Sequence, residues 1–230
     1  MSFEVIVIIA AAITGIIAGG VVHEYGHAWS ALKLGDDTAA RMGRLTFQPV
    51  PHIDPFMTIV LPLVLVIATG VPFGGMKPVP INPAGLRHPR RDIVWTALAG
   101  PGFQLGFVLV VFALYLLLTP LFAPGSYAFT FFYIVFFANV LIAFFNLIPI
   151  PPLDGSRVLA YFLPPQTRRT YLNLPPVVGI AIVLVLVLTG VIRAVLGPLV
   201  HMSREFFAWA YVNLGLHNWT GNLHVHVLGT

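Results

Sequence analysis

The chain has 230 residues, 58% hydrophobic and only 9% charged, where a soluble domain carries about 25% charged residues. With a mean hydropathy of +0.91, this composition excludes an ordinary soluble domain and points to an all-α polytopic membrane protein. The net charge of +4 reflects basic loops and does not argue for nucleic acid; with no cysteine, disulfides, thiolate ligands and cysteine nucleophiles are excluded.

The first apolar run, residues 5–22, has no charge, and the pattern predicts a helix over about 3–34. It lacks a basic leader and a small-residue cleavage site, so it reads as a retained helix. Gly15, Gly19 and Gly20 on it would allow close helix packing. The helix carries His23-Glu24-Tyr25-Gly26-His27. Four residues apart, His23 and His27 fall on one face, one turn above the other. Two such imidazoles can hold one Zn²⁺, and the intervening Glu can reach a water at the metal: this is HExxH. The motif also occurs by chance. Here it follows an apolar run long enough to cross a bilayer, where ionisable groups default to a functional role.

Residues 35–55 are polar and punctuated by proline, a loop with room for an extended piece over 45–50. Residues 56–73 are apolar, interrupted by Pro62 and Pro72. The stretch 74–83 holds prolines at 78, 80 and 83, which remove backbone donors and exclude a helix. A basic loop with Arg87, Arg90 and Arg91 precedes an apolar run over 93–118, which opens on Ala99-Gly100-Pro101. Residues 129–150 are dense in Phe and end in Asn146, a proline cluster, and Asp154-Gly155. The last clear span is 175–197. An aromatic tail over 201–230 is expected at the membrane interface or beyond it. The chain reads as a single membrane-embedded domain over 1–230, with a core of about 3–165 and a C-terminal helix and tail of about 175–230.

Asp154 is the candidate third ligand. It is one of eight acidic residues and directly follows a span whose end is broken by Pro149, Pro151 and Pro152. Two His and one carboxylate, with the fourth position left to water, is an arrangement used for peptide hydrolysis. The alternative is a carboxylate that caps a helix starting at Gly155.

HEYGH at 23–27, LAGPG at 98–102 and FNLIPIPPLDG at 145–155 together resemble the site-2 proteases, intramembrane zinc metalloproteases. The stretches GRLTFQPVPHIDP and GGMKPVPINP look like those of small bacterial and archaeal members without a PDZ domain. The resemblance covers most of residues 5–165. It implies one zinc per chain held by His23, His27 and Asp154, with Glu24 as the catalytic carboxylate. Asn146 is implied near the reaction centre; its alternative is a helix-end amide that satisfies broken backbone bonds. Relatives usually carry Asn three residues after the Pro of AGP, and Gln104 stands there instead, so Gln104 is left out of the expected site. The implied activity is zinc-dependent hydrolysis of a peptide bond within or next to a transmembrane segment of another protein, in a prokaryotic cell membrane. A non-catalytic metal-binding relative is the first rival; the intact Glu24 argues against it. A transporter is the second; its usual internal repeat is missing.

If the three ligands share one ion, HExxH and Asp154 must lie at one membrane depth, so the helices that carry them run parallel. Two apolar runs lie between them. A re-entrant unit over 53–83, a helical arm down and the extended Gly/Pro stretch 74–83 back, solves the parity, within a bundle of about five transmembrane segments. It places ten of the twelve Lys and Arg on one side, which the positive-inside rule makes cytoplasmic. The metal then lies nearer the cytoplasmic face. Of the other histidines, His52 could line the cleft but reads better as a loop anchor, and His88 reads as an interfacial loop residue. His201, His217, His224 and His226 read as part of the tail.

Overall fold

A computed structural model describes residues 2–60, 75–118, 121–122 and 126–213, and among them all regular structure is helical. Helix α1 spans Phe3–Leu34, as its apolar run predicts. The Ser2 hydroxyl accepts from the Val5 amide at its start. Gly35 closes it in the left-handed region, with φ 115°, and returns its amide to the carbonyls of Ala31 and Leu32. At 1.5 Å per residue, α1 is about 48 Å long, against a hydrocarbon core of about 30 Å.

The loop after α1 contains one helical turn, α2, at Thr38–Arg41, and residues 45–50 form no strand. Asp36 organises this loop. One carboxylate oxygen accepts from the Thr38 amide (3.0 Å) and hydroxyl, and the other accepts from the Asn82 amide at 2.6 Å. The end of α1 is thereby tied to the segment that precedes the next long helix. Burial pushes the Asp36 carboxyl up, but these hydrogen bonds outweigh it and hold it below its usual range. The stability it contributes is therefore present above about pH 4 and is lost as pH falls through the depressed folded value. Asp36→Asn is expected to cost about 1–3 kcal/mol. In thermal unfolding of detergent-solubilised protein, it should also remove part of the decline in midpoint seen on acidification.

Short turns at Val50–His52, Pro55–Val60 and Pro83–Gly85 punctuate the next stretch. Residues 75–82 carry no helix, as the prolines require. The helical arm expected within 53–83 falls largely on 61–74, outside the described residues. Helix α3 spans Pro89–Leu118. It starts earlier than the apolar run suggests, so Arg90 and Arg91, expected in a loop, lie in its first turn. Pro89 suits that position, and the Asp92 carboxylate accepts from the His88 amide (2.8 Å) and from Arg91 Nε (3.2 Å). The helix continues through Pro101, whose missing amide is tolerated inside a packed bundle. Helix α4 spans Ala128–Asn146. Short helices α5 (Gly155–Phe162) and α6 (Pro165–Leu172) follow the proline cluster.

The C-terminal part differs from expectation. In place of one span over 175–197 there are two helices, α7 (Pro176–Leu188) and α8 (Val191–Asn213), separated at Gly190, where φ is 78°. Alone, the 13 residues of α7 reach only about 20 Å. The start of the expected aromatic tail belongs to α8, which packs on α4. Phe207 of α8 is buried among Phe112, Tyr115, Phe129, Tyr133 and Phe136. An aromatic cluster therefore holds this part of the chain.

Helices α1, α3 and α4 pack against one another. Each is long and apolar enough to cross a membrane, and the bent pair α6–α7 would make a fourth span. Where α1 meets α3, a Cβ on Gly26 would lie 2.7 Å from the Ala99 carbonyl oxygen, so the two backbones nearly touch.

Candidate metal centre

Helical periodicity puts His23 and His27 side by side in α1, both buried, with their Nε2 atoms 3.0 Å apart. Asp154 reaches them from the end of α4. There Gly155 folds so tightly against the Leu147 carbonyl that any side chain at 155 would overlap it. This turn brings Asp154 Oδ2 to 3.0 Å from His23 Nε2 and 3.1 Å from His27 Nε2. Asp154 occupies the N-cap position of α5 but makes no side-chain cap bond; its carboxylate is spent on the imidazoles. Its other oxygen lies 3.5 Å from an Arg157 nitrogen. Among the described residues these three side chains form a group that could hold a metal ion, with one ligand atom from each within 4.8 Å of the others.

The outer nitrogens fix how the imidazoles face. His27 Nδ1 lies 2.7 Å from the Thr96 carbonyl, which can only accept, so Nδ1 carries the proton. His23 Nδ1 lies 3.1 Å from Gln104 Oε1. With both Nδ1 atoms committed as donors, two Nε2 lone pairs and a carboxylate oxygen converge on one point. Without a cation they would repel. With one, they are the His₂-carboxylate set that leaves a fourth position open. The donor set therefore fits zinc. Gly100 of α3 forms the wall on the other side: a Cβ there would overlap the His27 ring and stand 2.9 Å from His23 Nε2.

Glu24, also buried, accepts a 2.7 Å hydrogen bond at Oε2 from the Val79 amide. The non-helical 75–82 segment thus meets α1 at the motif. Asn146 Nδ2 donates to the Ile142 carbonyl at 3.0 Å, the contact of a helix-end amide. His52 is buried and anchors its loop: Nε2 is 2.9 Å from the Thr46 carbonyl, and its own carbonyl accepts from the Lys77 amide. His217, His224 and His226 lie outside the described residues. Thr96, Gly100 and Gln104 were not among the expected site residues, although their spacing of four places them on one face of α3. That periodicity was the available signal.

Residues 122–190 match the model of Peptidase family M50. The match includes Asn146 and Asp154 but not the HEYGH motif. Over 195 residues the chain is 35% identical to "Putative zinc metalloprotease YwhC" of Bacillus subtilis (strain 168), covering 83% of this chain and 85% of that one. The chain belongs to peptidase family M50. This M50 member is also 32% identical over 198 residues to "Putative zinc metalloprotease Rip2" of Mycolicibacterium smegmatis, covering 84% of this chain and 73% of the relative. The protein of the same name in Mycobacterium tuberculosis (strain H37Rv) is 33% identical over 178 residues, 75% and 65% of the two chains. No solved structure matches the chain. As a site-2 protease of family M50 it is a metalloprotease, a hydrolase of peptide bonds, and an integral membrane protein.

Proposed function

We propose that this chain is a zinc-dependent intramembrane endopeptidase that cuts a peptide bond within or next to a transmembrane segment of another protein. The observation that carries the reading is the convergence of His23 Nε2, His27 Nε2 and Asp154 Oδ2 within about 3 Å, inside a bundle of membrane-length helices. These three residues would hold one zinc ion. When bound, zinc supplies Lewis acidity that makes water a nucleophile near neutral pH. Glu24 takes the proton from the attacking water and returns it to the leaving amine. The Val79 amide on Oε2 leaves the other carboxylate oxygen for that exchange. An amide group has two N–H donors. In Asn146 one is on Ile142, and the reading gives the second to the developing oxyanion.

The wider arrangement follows from the same site. HExxH and Asp154 lie at one depth, so α1 and α4 run parallel within a bundle of about five crossing segments. The single domain keeps its site on the cytoplasmic side, where most of its basic residues lie. The extended 75–82 segment, with its Val79 amide already at Glu24, suits an unwound substrate that joins it by strand addition.

The test is cleavage in liposomes. Zinc-loaded protein, reconstituted with single-span membrane peptides, should release fragments whose masses place the cut within or next to the span. Cleavage of soluble peptides alone would contradict the reading.

A further inference from the structure

Three helices meet in a chain of amides that ends on His23. Gln104 of α3 and Asn139 of α4 are both 0% exposed. Gln104 Oε1 faces His23 Nδ1 at 3.1 Å, and Gln104 Nε2 donates to Asn139 Oδ1 at 3.0 Å. Asn139 Nδ2 donates to the Gly15 carbonyl of α1 (3.1 Å) and to the Val135 carbonyl one turn back on α4 (2.8 Å). Gly19 leaves the slot for Asn139; any side chain there would overlap Oδ1.

The polarity of this chain can run only one way. Two backbone carbonyls cannot donate, so the Asn139 edge that faces them must be its NH₂. Oδ1 then faces Gln104 and must receive a hydrogen. That turns the Gln104 amide so that its oxygen faces His23, and an oxygen there requires the proton on Nδ1. The lone pair of His23 is left on Nε2, beside His27 and Asp154.

We propose that Gln104 and Asn139 are positioning residues: an amide relay, anchored on the Gly15 and Val135 carbonyls, that locks His23 into the tautomer able to bind metal. The proposal rests on the metal-site reading above and adds to it a cause for the orientation of one ligand. It also gives the extra reach of Gln104 a purpose, since one side chain must touch both His23 and Asn139. His27 needs no such relay, because a backbone carbonyl fixes it directly.

Two variants separate this role from mere packing, because both break the Gln104–Asn139 bond. Gln104→Glu still presents an acceptor to His23. Asn139→Leu leaves Gln104 free to turn its NH₂ toward His23. The tautomer is read by ¹⁵N-histidine NMR on metal-free protein, alkaline enough to keep the imidazoles neutral, with His23 assigned from a His23→Gln sample. Wild type and Gln104→Glu should show His23 protonated on Nδ1, while Asn139→Leu should show a mixture of tautomers. His27 should stay on Nδ1 throughout. In competition with a chelator, Asn139→Leu should lose zinc at about 10- to 100-fold lower chelator concentration, the usual cost of an outer partner, and Gln104→Glu should stay within a few-fold of wild type. A wild-type His23 protonated on Nε2 would overturn the relay without any variant. So would an Asn139→Leu protein with unchanged tautomer and zinc retention. A wild type that is protonated on Nδ1 but binds no zinc would sink the metal-site reading and leave the relay standing.

Discussion

Glu24→Gln is expected to retain one zinc per chain and to lose cleavage by about 10²- to 10⁴-fold, the range for removal of a general acid–base. That is about 3–5 kcal/mol of barrier. The separation of the two effects follows from geometry. Glu24 is not one of the three converging groups; it accepts from the Val79 amide. A glutamine oxygen can keep that bond, so the 75–82 segment stays docked and only the proton carrier is lost. Zinc content by elemental analysis, together with cleavage of a reconstituted membrane peptide, checks the outcome. Activity within tenfold of wild type would remove Glu24 from the chemistry. Loss of zinc would make it part of the metal site.

Asp154→Asn is expected to lose both. The Asp154 carboxylate contacts both imidazoles and is the only acidic member of the group. A neutral amide keeps its shape but not its charge. Zinc affinity should fall by more than the roughly 10- to 100-fold that loss of an outer partner costs, with cleavage falling alongside. Because Asp154 makes no cap bond to α5, that short helix should survive, and helix content by circular dichroism should stay near wild type. Dialysis against a chelator, followed by metal analysis, measures the loss. Wild-type zinc retention would show that the carboxylate is not a ligand.

How much of this was legible in the sequence follows from the range of each signal. α1 was legible because its boundaries are local: an uncharged apolar run that ends at Gly35. The pairing of His23 with His27 is fixed by helical period alone. Asp154 was legible because an acidic residue is rare in this chain and sits beside three prolines. Asn139 was not legible. In a run of Phe and aliphatic residues, a lone amide shows no partner until α1 and α3 are placed against it. Gln104 was visible as a departure, but its contact with His23 depends on the approach of two helices. The helix at 191–213 was missed for a related reason. Its aromatic residues give no sign of a packed helix until Phe112, Tyr115 and Phe136 are known to surround Phe207.

The most direct test of the central claim is the position of the ion. Anomalous diffraction at the zinc edge, on crystals of the zinc-loaded protein, should place one ion about 2.0–2.2 Å from Nε2 of His23, Nε2 of His27 and a carboxylate oxygen of Asp154. An ion bound elsewhere, or one held by the two imidazoles with Asp154 beyond about 5 Å, more than twice a zinc–oxygen bond, would contradict it.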